Sequence, residues 1–206
     1  KVYRKTSKNT FSQPRIVQLS DMLADMSNNK NVRYAIPMTS AVEFPKQELP
    51  IDPYLLGLML GDGHIRKNLS IFTSADEECV NAFKNAGYRI SKRFGDNYDF
   101  NISGNGFNQH LMELGLTGVH SNSKFVPNFY KHSSITDRIA LIQGLLDTDG
   151  TADKRGRITF YTISQHLAKD MQWLIRSIGG RCSISYKHPI YTYKGEKKNG
   201  QLCYVL

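Results

Sequence analysis

Two stretches of the chain follow the same pattern, LLGLMLGDG at residues 55–63 and IQGLLDTDG at residues 142–150. Each is largely apolar, has glycine at its third position and closes on Asp-Gly, and the aspartates Asp62 and Asp149 lie 87 residues apart. Because a glycine commonly follows the end of a helix, each stretch is predicted to be a helix that stops at its final glycine. The repetition indicates an internal duplication of the chain.

Both predicted motif helices have recognisable starts. Asp52 is a natural N-cap, and Pro53 suits the first turn of the first helix. Ser134, with Asp137 three residues later, is a variant of the capping box in front of the second helix. The two ends of each motif helix are therefore predicted from local residue types alone.

Small residues four positions apart interrupt both predicted helices, at Gly57 and Gly61 in the first and at Gly144 and Thr148 in the second. A glycine inside a helix costs ~1 kcal/mol relative to alanine, so these positions need a packing reason. Two helix backbones approach closely where one stripe of each helix lacks side-chain bulk. The motif helices are therefore predicted to pack against each other, at the seam between two pseudo-symmetric halves.

This packing brings the carboxylates of Asp62 and Asp149 together at neighbouring helix C-termini. Each helix end already carries a partial negative charge, and two carboxylates a few ångströms apart repel by ~4 kcal/mol at an effective dielectric constant of about 20. A divalent cation relieves that repulsion, because Mg²⁺ is held by a few carboxylates, carbonyls and waters. The paired motif therefore predicts a metal site formed by the two aspartates.

Similar patterns of elements follow each motif. After the first motif, helices are predicted at residues 75–87 and 106–115, and strands at 68–74, 88–94 and 97–103, the last two joined through Gly95, Asp96 and Asn97. Ser74 is predicted to cap the helix over 75–87, with Glu77 completing a capping box. After the second motif, a helix is predicted at 164–180, strands at 157–164, 181–188, 190–193 and 201–206, and a basic hairpin tip at 195–200.

Residues 1–50 lie outside the duplication and are polar and basic. A short helix at 17–27 and an extended segment at 32–44 are predicted there, and a run of prolines marks a boundary at its end. The predicted organisation is an N-terminal segment, a first half and a second half that is short at its C-terminal end, at residues 1–50, 51–133 and 134–206.

The composition favours a globular protein with an anionic partner. Apolar residues make up 40% and charged residues 22% of the 206 residues, and the formal net charge is +9 with a pI of about 9.4. This excess of cations favours nucleic acid or an anionic membrane surface as a partner; the alternative is a merely basic protein.

Three cysteines without a CxxC pair argue against a disulfide framework or a zinc site. With no signal peptide and no apolar stretch long enough to span a bilayer, we expect a cytoplasmic or nucleoid-associated protein that is neither secreted nor membrane-bound.

The paired motifs resemble those of LAGLIDADG homing endonucleases of the single-chain, two-motif type. The matching residues are Gly57, Leu58, Asp62 and Gly63 in the first copy and Gly144, Leu145, Asp147, Asp149 and Gly150 in the second. The resemblance covers about residues 51–206. It implies an α+β fold of two αββαββ halves, with the motif helices packed at their interface and two antiparallel sheets forming a saddle over the DNA major groove.

Further stretches are similar to sequences found in intein-borne members of this family. SKFVP at residues 123–127 resembles the lysine-bearing block between the two motifs, which implies that Lys124 is a catalytic lysine of the first half. Residues 34–44 and 48–57 resemble the segment that leads into the endonuclease within inteins. By the same resemblance, Asp62 and Asp149 are metal-binding catalytic residues.

The resemblance implies a homing endonuclease that makes Mg²⁺-dependent double-strand breaks at a long site in double-stranded DNA, with Mn²⁺ as a substitute metal. A monomer is expected, because the duplication already supplies the two-fold relation of a dimer. The alternative is a catalytically impaired module that binds DNA or RNA, such as a maturase or a regulator. The presence of both aspartates favours the enzyme. The second-half partner of Lys124 would lie near position 211, so either the chain is a trimmed piece of a longer protein or the second lysine is absent, and its absence would favour the module. Lys1 and Leu206 supply neither the nucleophile nor the terminal asparagine of an intein, so this chain is expected not to splice.

Basic residues on predicted strands, turns and hairpins are candidates for DNA contact, because Arg binds guanine edges and Lys mostly binds phosphates. They are Arg66, Lys67, Arg89, Arg93, Lys154, Arg155, Arg157, Arg181, Lys187, Lys194, Lys197 and Lys198. His64 is expected to be a surface residue or to contact the DNA backbone, since no second histidine or cysteine lies at the spacing of a metal ligand. Met171 and Trp173 are expected in the core stripe of a helix.

Overall fold

The computed structural model describes residues 1–5, 10–28, 33–95 and 97–206, which form two compact units, Lys1–Ser40 and Ala41–Leu206. The predicted division at residues 50 and 133 stays a prediction. The first unit contains β1 (Tyr3–Arg4), α1 (Leu19–Asn28) and β2 (Tyr34–Ala35), and β1 pairs antiparallel with β2. Asp25 of α1 fastens this pair, because it accepts hydrogen bonds from Arg4 Nε (2.9 Å) and Tyr34 Oη (2.6 Å). The helix predicted over 17–27 is confirmed.

The second unit opens with the first motif helix and a four-stranded sheet. Its elements are α2 (Pro53–Asp62), β3 (Gly63–Arg66), β4 (Leu69–Thr73), α3 (Glu77–Asn85), β5 (Arg89–Lys92), β6 (Asp99–Ser103) and α4 (Phe107–Glu113). The strands pair in the order β3-β4-β6-β5, and every pairing is antiparallel. The predicted strands are therefore present, and the Asp96 that was expected to join two of them lies outside the described residues.

The second motif helix is followed by a sheet with the same arrangement. The elements are α5 (Asn128–Lys131), α6 (Ile135–Asp149), β7 (Gly150–Ala152), β8 (Ile158–Thr162), α7 (Gln165–Ser177), β9 (Ser185–Lys187), β10 (Ile190–Tyr193), β11 (Glu196–Asn199) and β12 (Cys203–Val205). The sheet order is β7-β8-β12-β9, and β10 and β11 pair with each other in a separate ribbon. All of these pairings are antiparallel. The expectation of a mixed α+β fold with antiparallel sheets is confirmed.

The motif helices lie in the core, and helices and sheets pack around them. Leu55, Leu56, Leu58, Met59 and Leu60 of α2 are all at most 2% exposed. A helix that is apolar on all sides belongs in an interior, which explains why this stretch has so few polar positions.

The remaining core residues come from the helices that cover each sheet. Phe83 of α3 packs on Phe72 of β4 and on Phe107 of α4, with ring centroids 5.2 and 6.0 Å away. Met171 of α7 is fully buried, and Trp173 is partly buried and stacks on Phe44, which confirms the core assignment of this helix. No helix within the described ranges has the length and apolar character needed to cross a membrane.

Two local predictions are wrong. The N-cap of α3 is Asp76, whose side chain accepts a hydrogen bond from Glu78 N at 2.8 Å, whereas Ser74 accepts from Asp76 N and Glu77 already lies in the helix. Residues 195–200 are not a hairpin tip, because Glu196–Asn199 is a strand. The turn lies at Lys194 and Gly195, which both have positive φ (50° and 83°), as a two-residue hairpin turn of type I′ requires.

Candidate active site

Glycine lets the two motif helices approach until their backbones touch. A β-carbon built at Gly57 would lie 2.5 Å from Leu141 O, and one built at Gly144 would lie 2.1 Å from Tyr54 O. At the next turn, a β-carbon at Gly61 would lie 1.8 Å from Thr148 Oγ1. Real β-carbons essentially never come within 3.0 Å of another heavy atom, so a larger residue at any of these positions would force neighbouring atoms to shift. The predicted packing of the motif helices is confirmed.

Both helices end at the predicted glycines, but for a different structural reason. Gly63 and Gly150 have extended backbones (φ −82° and −97°), not the left-handed conformation of a common helix C-cap. A β-carbon at either position would lie 2.3 Å from a carbonyl oxygen of the preceding turn, Met59 O or Leu146 O. The chain therefore passes from helix to strand without a loop, and Asp62 and Asp149 are the last helical residues.

The two aspartates open onto one cavity of about 290 Å³. Lys124 lines the same cavity, so the structure brings together all three residues that the sequence predicted for catalysis. The lining residues are Leu60, Gly61, Asp62, Ser121, Lys124, Asp149, Tyr161, Thr162, Ile163 and Cys203. The sequence did not indicate that Ser121, Tyr161, Thr162 and Cys203 line this cavity, because only the tertiary fold brings these separate segments to the motif helices.

Burial and mutual repulsion disturb the ionisation of the carboxylates. Burial, and then the charge of Asp62, raise the pKa of Asp149 to about 6, while the Lys124 ammonium acts in the opposite direction. Asp62 is more open to solvent, and desolvation raises its pKa against the opposing effect of Lys124. The protein therefore holds two acids where the charged form of each is disfavoured, which is an arrangement typical of functional sites.

Lys124 is the cation of the site and is held at the end of α2. Its side chain is 6% exposed, and Nζ donates hydrogen bonds to Gly61 O (2.6 Å) and Gly63 O (2.9 Å), with Met59 O at 3.5 Å. These carbonyls belong to the helix end, where unpaired acceptors and the helix dipole attract a cation. Burial lowers the pKa of Lys124 to about 8, although both aspartates raise it.

Ser164, the N-cap of α7, and Asp170 of α7 hold the segment that carries Lys124 in place. Neither contact was predicted. Ser164 donates a hydrogen bond from Oγ to Lys124 O at 2.6 Å, while also capping α7 through Leu167 N. Asp170 accepts from Val126 N at 2.8 Å and from Lys131 Nζ at 2.6 Å. The second motif's side of the fold thus fixes the segment that carries the lysine to the first motif. The cap position of Ser164 is readable from sequence, but its contact 40 residues away is not.

Asp147 plays a separate part from its neighbour two residues later. It is exposed, does not line the cavity, and accepts a hydrogen bond from Tyr54 Oη at 2.8 Å. Desolvation and this bond raise the pKa of Tyr54. The contact joins α2 to α6, so Asp147 serves the helix interface.

The donor set of the cavity suits Mg²⁺. Within the part of the chain that the structure describes, no cluster of three or more His, Cys, Asp and Glu side chains is placed to hold a metal ion, which disfavours zinc. Mg²⁺ differs, because it keeps several of its waters and binds proteins through one or two carboxylates. Asp62 and Asp149 are the residues that would hold it.

All twelve predicted DNA-contact residues are exposed, but their settings differ. In the first sheet, successive side chains along each strand alternate between the two faces. Together with the pairing of His64 with Ile71, this alternation places Arg66, Arg89 and His64 on the same face. On that face Arg66 Nε donates to His64 Nε2 at 2.7 Å. Lys187 of the second sheet lies over the ring of Tyr161, 4.7 Å from its centroid.

Other members of the set lie in turns or are already paired with acids. Lys67, Lys154 and Arg155 occupy turns between strands, and Arg181 lies between α7 and β9. Arg93 forms an ion pair with Asp99 (3.0 Å) and Arg157 with Asp153 (2.6 Å). The structure therefore groups only part of the predicted set on sheet faces.

The chain is similar to a known domain family and to parts of two larger proteins. Residues 136–202 match the family model described as LAGLIDADG-like domain. The chain is 28% identical over 204 residues to the replicative DNA helicase DnaB of Mycobacterium intracellulare, a match that covers 98% of the chain and 31% of the relative. It is also 33% identical over 84 residues to one subunit of the DNA gyrase of Mycobacterium leprae (strain TN), covering 39% of the chain and 6% of that relative. The chain thus spans about a third of the helicase relative's length, and its residues 136–202 are similar to LAGLIDADG-like domains.

Proposed function

We propose that this chain is a site-specific DNA endonuclease that makes Mg²⁺-dependent double-strand breaks at a long target, as a homing endonuclease borne by an intein. One observation carries the proposal. Two glycine-bearing helices in backbone contact end side by side, and their terminal aspartates, Asp62 and Asp149, share a cavity with a buried lysine, Lys124. The match of residues 136–202 to LAGLIDADG-like domains supports the family on which this reading depends.

In the proposed reaction, Asp62 and Asp149 are the residues that would hold Mg²⁺. When bound there, the ion would supply an activated water and charge neutralisation for phosphodiester hydrolysis. Lys124 cannot swing freely, because its hydrogen bonds are taken up by carbonyls at the end of α2. Its contribution is therefore electrostatic: a fixed cation offsets the charge of both carboxylates and favours negative charge on a substrate in the cavity.

Substrate binding is proposed to use the exposed sheet faces beside the cavity. Arg66 and Arg89 provide donors for base edges or phosphates on the first sheet, and Lys187 does so on the second. The net charge of +9 favours binding to a long polyanion such as duplex DNA.

The intein origin is supported by the kinds of relatives. A replicative helicase and a gyrase are different enzymes, yet parts of the same chain are similar to parts of both. A mobile insertion explains this better than a component of either enzyme's own machinery. The similarity of residues 34–44 and 48–57 to the segment that precedes the endonuclease in inteins points the same way.

The test is a cleavage selection on a randomised or genomic DNA library, in Mg²⁺ and in EDTA. Asp149→Asn is the disabling variant, and Asp147→Asn is its matched control, because it removes a charge from the same helix without touching the cavity. We expect discrete double-strand breaks in Mg²⁺ from the wild type and the control, and none from Asp149→Asn. Equal cleavage by all three proteins would refute the assignment of the site.

The second candidate is a binding module without cleavage. The observation that favours it is the full engagement of the Lys124 ammonium by backbone carbonyls, which also has a purely structural use. Its signature in the same selection is binding to DNA without breaks, equal in the wild type and in Asp149→Asn.

A further inference from the structure

The ribbon formed by β10 and β11 pairs with no other strand within the described structure. Its strands pair in register from Ile190 with Asn199 to Tyr193 with Glu196, and all eight strand residues are exposed. A lone two-stranded hairpin is marginally stable in water. Binding to a ligand would therefore stabilise the ribbon.

The ribbon emerges beside the candidate active site. It connects Lys187 at the end of β9 with Cys203 at the start of β12, and these two residues pair with each other. Cys203 lines the cavity that holds Asp149, and so does Tyr161, whose ring carries Lys187. Four strand residues extend about 13 Å, so the ribbon reaches over a distance of about four nucleotide steps.

Among the residues that the structure describes, the first sheet has no such element at the corresponding place. The strands at the same positions in that sheet, β5 and β6, are connected by residues 93–98 only. The ribbon therefore makes the surroundings of the cavity unequal on the two sides.

The ribbon has side chains suited to binding phosphates. Its turn and second strand carry Lys194, Lys197 and Lys198 against one acid, Glu196. The ammonium groups of Lys198 and Lys194 lie 5.0 and 5.5 Å from the centroid of the Tyr193 ring, so cation–π attraction holds both cations in place. Alternation puts Lys197 on the opposite face, so both faces of the ribbon offer a cation.

We propose that the β10–β11 ribbon is a one-sided DNA arm that enters the major groove next to the cleavage centre and binds backbone phosphates there through Lys194, Lys197 and Lys198. A two-stranded ribbon has the cross-section that the major groove admits. The inference rests on the proposed function, since it assigns a part of the same substrate to a separate element. It also predicts that contacts near the cut are asymmetric, in spite of the duplicated motif.

The test compares the variant Lys194→Gln, Lys197→Gln, Lys198→Gln with a matched control, Lys46→Gln, Lys84→Gln, Lys169→Gln. Both lose three exposed lysines, and the control residues lie outside the ribbon and the cavity. Binding of the duplex recovered in the cleavage selection is measured in EDTA at several salt concentrations, and contacted phosphates are mapped by ethylation interference. Each phosphate contact contributes about −0.9 to the slope of log K against log salt.

For the ribbon variant we expect the slope to decrease in magnitude by about 2–3, and affinity at 0.15 M salt to fall on the order of 100-fold. Interference should disappear on one side of the cut only, within about four nucleotide steps, and the control should match the wild type. A ribbon variant that binds and cuts with an unchanged slope and interference pattern would overturn the inference and leave the proposed function standing. A wild type that neither binds nor cuts duplex DNA would overturn both.

Discussion

Asp149→Asn is expected to stabilise the metal-free protein at neutral pH. In the folded state the pKa of Asp149 is raised from 3.8 to about 6, first by burial and then by Asp62. A group with a raised folded pKa contributes its stability below the unfolded pKa and loses that contribution as the pH rises through the folded value. The wild type in EDTA therefore loses stability from this carboxylate between about pH 4 and pH 7, and the asparagine variant does not.

The size of the effect follows from the same values. A difference of about two pKa units corresponds to about 3 kcal/mol, and solvent access to a half-buried carboxylate reduces this to about 2 kcal/mol. For a domain of this size, 2 kcal/mol is a difference of about 4–8 °C in Tm. The variant should unfold at the higher temperature at pH 7.5, and the two proteins should converge near pH 4.

The assay is thermal or urea unfolding in EDTA across that pH range, repeated with Mg²⁺. Ion binding to the folded state should raise the Tm of the wild type and leave the variant unchanged. Asp147→Asn is the control, because its exposed carboxylate has a tyrosine donor and no part in the cavity. If Asp149→Asn is the less stable protein at pH 7.5 in EDTA, then Lys124 more than offsets the repulsion, and the site is an ion pair instead of a frustrated pair of acids.

Three further variants test other contacts. Gly144→Ala should lower the free energy of unfolding by about 3 kcal/mol, because overpacking against Tyr54 O outweighs the ~1 kcal/mol gained in helix propensity; an unchanged urea midpoint would contradict the backbone contact. Lys124→Met should reduce the cleavage rate about 100-fold, whereas Lys169→Met, on exposed surface, should cleave like the wild type. Arg138→Lys should lower the free energy of unfolding by about 3 kcal/mol. Arg138 is fully buried and donates to Ser133 O, Ser177 Oγ and Val42 O, and one ammonium cannot reach all three acceptors. A wild-type Tm would refute this explanation.

Local chemistry made the motif helices predictable. Asp52 and Ser134 are N-caps as expected, with side chains that accept from Leu55 N and Asp137 N. The spacing of Gly57 from Gly61 indicated backbone contact, because few other causes justify glycine inside a helix. These features depend on residues near one another in sequence.

The features that were predicted wrongly, or only by resemblance, depend instead on tertiary structure. Ser74 and Asp76 are both good caps, and only the entry angle of the chain into α3 decides between them. Glu196–Asn199 is a strand although lysine has low β propensity, because its partners in β10 define it. Lys124 was identified by resemblance alone, since the carbonyls that hold it lie 61 to 65 residues away in the chain.

The direct passage from helix to strand at Gly63 and Gly150 has a consequence for how such a protein would evolve. With no loop in between, the terminal aspartate of each motif helix and the first strand of the sheet that follows it belong to one continuous segment. The distance between the two segments is fixed by glycine contacts in the core. On the proposed function, substitutions on the sheet faces change which sequence is recognised, while the offset between the two cuts stays constant. New targets would then arise without a change in the geometry of the cut.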